Sequence, residues 1–400
     1  MTRSATALPR KADFELPAGV IYLDGNSLGP LPRGAAERAM RTIREEWGNE
    51  LIRAWNSADW IALPQRVGDR IARLIGASEG SVTTGDTLSI KVYQALAAAL
   101  RMRPERRVIL SDSGNFPTDL YMAEGLIETL GRGHELRMPA PDQVLDAIDE
   151  SVAAVMLTHV DYRTGRCHDM AAITRRAHEA GAVMIWDLAH SAGAMPLGIG
   201  AIGAEFAVGC SYKYLNGGPG APAFIHVRPD LVETVDPALS GWMGHAAPFA
   251  MEPQYRPARA IERMRVGTPP VIQLAILDAA LDIWEGVDLA ALRTRSIELS
   301  EQFIAGVEAR CPQLTLASPR DPQARGSQVS FAFEEGYAAM QALIAHGVIG
   351  DFRTPDIMRF GFTPLYLDAQ DVARAVDILA DVMARDLWRD PRFQTRARVT

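Results

Sequence analysis

Between residues 81 and 228 short apolar runs alternate with stretches of helical period. The runs fall at 107–111, 135–138, 152–158, 182–187, 206–210 and 223–227, and helices are predicted over 87–100, 118–130, 142–148 and 171–180. The runs do not alternate with polar residues, so both of their faces are expected to be buried. Strand–helix alternation of this kind predicts an α/β domain with a mostly parallel sheet covered by helices on both faces. Such sheets bind ligands beyond the carboxyl ends of their strands. After Thr268 the pattern changes. Two long amphipathic helices over 271–284 and 289–309 precede strands at 313–317, 328–333 and 358–360, and a helix over 369–384 follows. Elements in blocks predict a smaller α+β domain. Residues 241–266 have no clear period and are rich in Pro, Gly and Met, as expected of a functional or interface stretch. No internal repeat occurs.

Composition narrows the class. The chain has 400 residues, 48% of them hydrophobic and 22% charged, enough for a sizeable core. The reading divides it into an N-terminal segment (1–60), a large domain (61–268) and a small C-terminal domain (269–400). A net charge of −8 argues against a general nucleic-acid binder. Cys167, Cys210 and Cys311 are too few and too scattered for a disulfide framework, and a reducing cytoplasm is expected. Residues 1–11 are basic but lead into no apolar run, and Asp13 and Glu15 follow, so no targeting peptide is expected. No apolar run approaches the length of a membrane span. The group Arg101, Arg103, Arg106 and Arg107 reads as cations at the end of a helix stopped by Pro104.

Lysine occurs only at positions 11, 91 and 213 among 41 basic residues. Lys11 and Lys91 fall where any solvated cation serves. Lys213 directly follows the run 206–210 and precedes Gly217-Gly218-Pro219-Gly220, a turn where backbone can approach a ligand. A lysine amine forms a Schiff base with an aldehyde, which arginine cannot do. No Gly-Lys-Ser/Thr follows, so this is no Walker loop. Asp187 lies 26 residues upstream and ends the apolar run Val183-Met184-Ile185-Trp186. A carboxylate there needs a partner. A pyridinium nitrogen is one such partner, while a helix cap or turn is the plain alternative. His190 lies three residues on. Thr83-Thr84-Gly85-Asp86-Thr87-Leu88-Ser89 opens a helix, whose start offers free N–H groups to a phosphate. An ordinary helix cap would look similar. Phe116, in Asn115-Phe116-Pro117-Thr118-Asp119, offers a flat face to an aromatic ring. All these features fall at strand carboxyl ends, and together they meet the requirements of pyridoxal 5′-phosphate.

Tyr22-Leu23-Asp24-Gly25-Asn26-Ser27-Leu28-Gly29, the Asn115–Asp119 motif, Trp186-Asp187-Leu188-Ala189-His190 and Ser211-Tyr212-Lys213-Tyr214-Leu215-Asn216 together resemble the kynureninase family. The resemblance spans about residues 20 to 365. It implies the aspartate-aminotransferase-like fold type I, shared with class V aminotransferases, and a homodimer with active sites at the subunit interface. It implies phosphate contacts from Leu88 and Ser89, and a cofactor lining of Phe116, Pro117, Thr118, Asp119, Thr158, Asp187, His190 and Tyr212. Lys213 would carry the cofactor as a Schiff base. Trp242 and Thr268 would reach the phosphate from the neighbouring subunit, which would account for the aperiodic 241–266 stretch. Arg359 would clamp the substrate carboxylate, and Asn26 and Ser27 would sit near the aryl ketone. The implied reaction is hydrolytic Cβ–Cγ cleavage of L-kynurenine to anthranilate and L-alanine in tryptophan catabolism. Lys213 would take the α-proton, and Tyr212 would either relay protons or merely bind the phosphate. Trp55 stands where animal relatives carry a histidine linked to the ring-hydroxylated substrate, so 3-hydroxykynurenine is expected to be the poorer substrate.

Three rivals compete. A cysteine desulfurase or class V aminotransferase shares the fold, but a desulfurase needs a cysteine on a mobile loop, and Cys311 reads as core. A metal hydrolase built on His159, Asp161, Asp187 and His190 leaves Lys213 and the glycine turn without a role. A silent cofactor-binding regulator lacks any DNA-binding motif to support it.

Overall fold

In the computed structural model, which describes residues 8–396 of the chain, the apolar runs of the first half become strands of one sheet. Most of the N-terminal stretch read for targeting signals lies outside the described residues. The strands are β1 (Val82–Thr84), β2 (Val108–Leu110), β3 (Glu135–Arg137), β4 (Val152–Thr158), β5 (Val183–Asp187), β6 (Phe206–Gly209) and β7 (Phe224–Val227). Their order is β1-β7-β6-β5-β4-β2-β3. From β6 to β3 every pair is parallel, and β7 alone runs against its neighbours β6 and β1. Six strands therefore deliver their carboxyl ends to one edge. All seven residues of β4 are buried, as its unbroken apolar run requires in a sheet covered on both faces. The expected α/β fold is the one observed. β1 had escaped notice because three residues with two threonines leave no apolar signature.

Helices α1 (Leu63–Ile75), α2 (Leu88–Met102), α3 (Pro117–Leu130) and α4 (Met170–Glu179) cover this sheet. Ala95, Ala97, Ala98 and Ala99 are all buried in α2, and small side chains let the helix lie close to the strands. The same burial corrects one expectation: Lys91 is not solvated. Its Nζ donates to Asp86 Oδ2 at 3.0 Å and to Gln94 Oε1 at 2.9 Å. Burial pulls its pKa down, against the attraction of Asp86. The reason is tertiary. The segment that reaches Met264 folds over α2 and covers a face that, judged from the helix alone, would meet water. The arginines after α2 serve the fold, as expected. Arg103 donates to Gly181 O at 2.6 Å, and Arg106 to Ala180 O at 2.7 Å and Val152 O at 2.9 Å.

The C-terminal part has its own antiparallel sheet of β8 (Thr315–Leu316), β9 (Gln328–Ala332), β10 (Asp351–Arg353) and β11 (Ile357–Gly361), ordered β10-β11-β9-β8. Helices α5 (Leu289–Arg310), α6 (Gly336–Ala345) and α7 (Ala369–Ala384) back it, and Phe303 packs among Phe331, Phe360 and Phe362. Helix α6 had no counterpart in the sequence reading. The helix expected over 271–284 tightens into a 3₁₀ turn after Ala280. Residues 241–266 form short 3₁₀ turns joined by irregular chain.

A strap from the N-terminal segment links the small domain to the turn after β6. Ile21–Tyr22 pairs with Val348–Ile349 of the small domain, and seven residues later Gly29 N–H donates to Tyr212 O at 2.8 Å. A Cβ on Gly29 would lie 2.4 Å from Lys213 O and 2.7 Å from Asn216 Cα, so only glycine permits this approach. No described helix is long and apolar enough to cross a membrane.

Candidate active site

The parallel register of β4 and β5 sets Thr158 beside Asp187 at the carboxyl edge. Thr158 Oγ1 donates to Asp187 Oδ2 at 3.2 Å, and Ala189 N–H donates to Asp187 Oδ1 at 2.8 Å. Asp119, from the first turn of α3, faces the same spot. Both carboxyls are buried, and burial raises both pKa values. Each then acts on the other. The charge of Asp187 pushes Asp119 up further, while the hydrogen bond from Asp119 favours ionised Asp187. Lys213 nearby also favours ionised Asp187. The pair thus keeps its proton on Asp119. Asn115 extends the network, bonding Thr158 on one side and Ser111 on the other.

After β6 the chain turns sharply and presents Tyr212 and Lys213. Lys213 Nζ lies 2.8 Å from His190 Nε2 and 5.7 Å from the centre of the Tyr212 ring. His190 is buried, which drives its pKa well below the ordinary range, so the imidazole is neutral and its Nε2 can accept from the Lys213 amine. Its Nδ1 has no hydrogen-bond partner. Burial and nearby Cys210 raise the Tyr212 phenol, which stays protonated.

Between the Tyr212 turn and α2 lies a cavity of about 350 Å³, lined by Ser27, Thr87, Leu88, Tyr212 and the Gly220–Ala223 turn. Helix α2 starts at Leu88, with Ser89 next, and no side chain caps it. Its first N–H groups therefore face the cavity side unspent, as an anion seat requires. Phe116 is partly exposed, with Pro117 and Thr118 behind it, and its ring meets Tyr162 edge-on at 5.2 Å.

A second group closes the site from the small domain. Arg359, in β11, is almost fully buried. It donates to Tyr162 O at 2.6 Å and to Ser27 Oγ at 2.9 Å, and it pairs with Asp351. Asn26 is fully buried with both amide atoms unpartnered, and its Oδ1 occupies the space a Cβ on Gly361 would need. Burial and neighbouring Asp351 raise the Asp24 carboxyl to about 7.

The fold thus brings Leu88, Ser89, Phe116, Pro117, Thr118, Asp119, Thr158, Asp187, His190, Tyr212 and Lys213 to one edge, with Asn26, Ser27 and Arg359 across from them. Trp55 packs its ring on Trp60 at 5.9 Å and joins neither group. Trp242 and Thr268 are exposed, outside the cluster within one chain. Sequence reasoning missed Asp24, Asn115 and Asp351. Asn115 stood in a quoted motif and could have been found; Asp351 carried no signal, because its importance comes from a cross-strand neighbour. Among the described residues no group of three or more His, Cys, Asp or Glu is placed to hold a metal ion. Cys311 is buried in the small domain.

These residues fit pyridoxal 5′-phosphate: an ionised aspartate for the ring nitrogen, open helix N–H groups for the phosphate, an orphaned buried His190 Nδ1 and a lysine amine for the aldehyde. Fold and site together define a pyridoxal-phosphate enzyme of the fold-type-I, class V aminotransferase-like kind. Residues 292–379 match the family model "Kynureninase C-terminal domain", and residues 133–210 match the DegT/DnrJ/EryC1/StrS aminotransferase family. The chain is 53% identical to a kynureninase of Pseudomonas fluorescens, covering 98% of this chain and 96% of that one. It is 51% identical to a kynureninase of Burkholderia pseudomallei, covering 100% and 98%. Among solved structures, a cysteine desulfurase from Thermococcus onnurineus superimposes with a TM-score of 0.81 at 17% identity, covering 96% of this chain and 100% of that one. A C-DES variant with glycine covalently linked to its pyridoxal-phosphate cofactor also gives 0.81, at 20% identity, covering 93% and 99%. The structural likenesses speak for the fold alone. The chain belongs to the kynureninase family.

Proposed function

We propose that this enzyme hydrolyses L-kynurenine between Cβ and Cγ, giving anthranilate and L-alanine, as a step of tryptophan catabolism. The observation that carries the reading is identity above 50% to kynureninases along the full chain. The desulfurase alternative has fold similarity only, and Cys210 and Cys311 are buried.

Bound pyridoxal phosphate supplies an electron sink conjugated to the substrate's Cα. Lys213 Nζ takes the α-proton, and neutral His190 beside it accepts a hydrogen bond without adding charge. Asp187 holds the proton on the ring nitrogen, kept ionised by the hydrogen bonds of Asp119, Thr158 and Ala189. Leu88 and Ser89 seat the phosphate, and Phe116 covers the ring. Arg359 binds the α-carboxylate, a task for a planar fork of donors. Asn26 and Ser27 lie toward the aryl ketone. Water adds to the γ-carbonyl, the Cβ–Cγ bond breaks, Cβ takes up a proton, and Lys213 Nζ returns one to Cα as alanine forms. Tyr212, kept protonated by burial, is the donor to Cβ.

The working unit is a homodimer. Trp242, Phe249 and Met251 are exposed apolar residues on the irregular stretch, which supports an interface there, with Trp242 and Thr268 reaching a neighbour's phosphate. The chain divides into an N-terminal segment (1–60), a large domain (61–268) and a small domain (269–400). Three unpaired cysteines support a cytoplasmic location. Purified protein tested with kynurenine, 3-hydroxykynurenine and cysteine decides: the first is turned over best, and sulfide release from cysteine instead would overturn the reading.

A further inference from the structure

The group around Arg359 contains a carboxylate that the mechanism above does not use. Strands β10 and β11 set Asp351 directly opposite Arg359, so the two side chains share a face. Asp351 Oδ2 accepts from Arg359 Nη2, from Ser27 Oγ at 3.0 Å and from Arg353 Nη2 at 2.7 Å, and Oδ1 accepts the Phe352 N–H at 2.7 Å. Asp351 and Arg359 are both almost wholly buried. Arg359 Nε, also buried, has no partner. Asp351 thus offers its one charge to Arg359 and Arg353 together, and Arg359 retains an unused donor.

A guanidinium in such a place needs a counter-charge at all times. When the substrate carboxylate arrives, it competes with Asp351 for the same guanidinium. Asp24 beside them is raised by burial and by Asp351, while Ser27, Arg359 and Arg353 draw it back down. We infer that Asp351 is a positioning residue: it serves as the internal counter-ion of Arg359 and thereby limits how tightly the site holds the α-carboxylate of substrate and product alike. The inference rests on Arg359 as the carboxylate clamp. Its consequence is turnover. L-Alanine carries the same carboxylate as kynurenine, so a competing internal carboxylate weakens both and lets the product leave.

The test uses the holoenzyme and L-alanine as the probe, with affinity read from the cofactor's visible absorbance and, independently, from the shift in Tm. Asp351→Asn leaves Arg359 without its charged partner. The free protein should melt lower, L-alanine should bind about 5- to 50-fold more tightly, and the Tm rise on adding L-alanine should exceed that of the wild type. In steady state the KM for kynurenine should fall while kcat does not rise. L-Alanine affinity that is unchanged or weaker overturns the inference. If Asp351→Asn does not fold, Asp351→Glu keeps the charge and crowds the guanidinium; L-alanine should then bind more weakly, and unchanged or tighter binding overturns it. Arg359→Gln separates the two claims. Unaltered L-alanine binding in that variant defeats the clamp itself, whereas weakened binding there without tightening in Asp351→Asn defeats the role of Asp351 alone.

Discussion

Asp187 and Tyr212 both lie near Lys213, and burial raises the pKa of each. Against burial, the charged form of the aspartate is favoured by Lys213 and by hydrogen bonds from Ala189, Thr158 and Asp119. The phenol stays neutral because burial and Cys210 oppose its ionisation more than Arg353 favours it. A neutral phenol is a proton donor, and Tyr212→Phe should lower kcat by about 100-fold while cofactor absorbance is retained. Steady-state rates alongside that absorbance check it; unchanged turnover with looser cofactor would show a phosphate ligand instead. Lys213 and Asp187 were legible in the sequence because each ends an apolar run, and a strand's end marks where a ligand meets the sheet. Asp351 was not, since it becomes significant only when β10 pairs with β11. Lys91 misled for the same reason: the chain that buries it comes from residues more than 150 positions later.

At the scale of elements, the strap through residues 24–29 holds the substrate side of the site against the lysine turn. A methyl on Gly29 would strike the backbone at Lys213 and Asn216. Gly29→Ala should cost about 1–3 kcal/mol of stability and lower kcat about ten-fold through displacement of the amine. Denaturant unfolding together with kinetics reads both, and wild-type values in each would show that the strap is passive. The edge pair β1–β7 supplies an acid-sensitive element. His226 is buried in β7 with Nδ1 3.0 Å from Ser81 Oγ, and burial pulls its pKa down to about 4. The folded state therefore binds fewer protons than the unfolded state between that value and the ordinary histidine range. Its contribution is complete above pH 6.5 and is lost as pH falls toward 4, on the order of 3 kcal/mol. His226→Gln should flatten the fall in stability across that window, and an unchanged slope would contradict the assignment. Strands β4 and β5 and helix α7 could be drawn from periodicity to within a residue. β1, α6 and β10 could not: two are too short for a pattern, and α6 is apolar almost all round.

The whole molecule places one polar site where two sheets and an N-terminal strap meet. Its α/β class was readable because runs without alternation need cover on both faces. The strap's crossing was not, because no local pattern says which distant strand Ile21–Tyr22 will join. Exposed Trp242, Phe249 and Met251 argue for a second copy beside the site. Sedimentation should show a dimer. Trp242→Ala should loosen it and lower affinity for the cofactor about ten-fold, the loss expected for one truncated interface aromatic; a monomeric, fully active wild type would contradict this.

Anthranilate and L-alanine released from L-kynurenine are to be measured for the wild-type holoenzyme and for Lys213→Ala. The wild type should release the two products in equal amounts, with anthranilate followed by its fluorescence, and Lys213→Ala should release neither above background. Turnover that survives the loss of Lys213, or anthranilate without matching alanine, would contradict the proposed reaction.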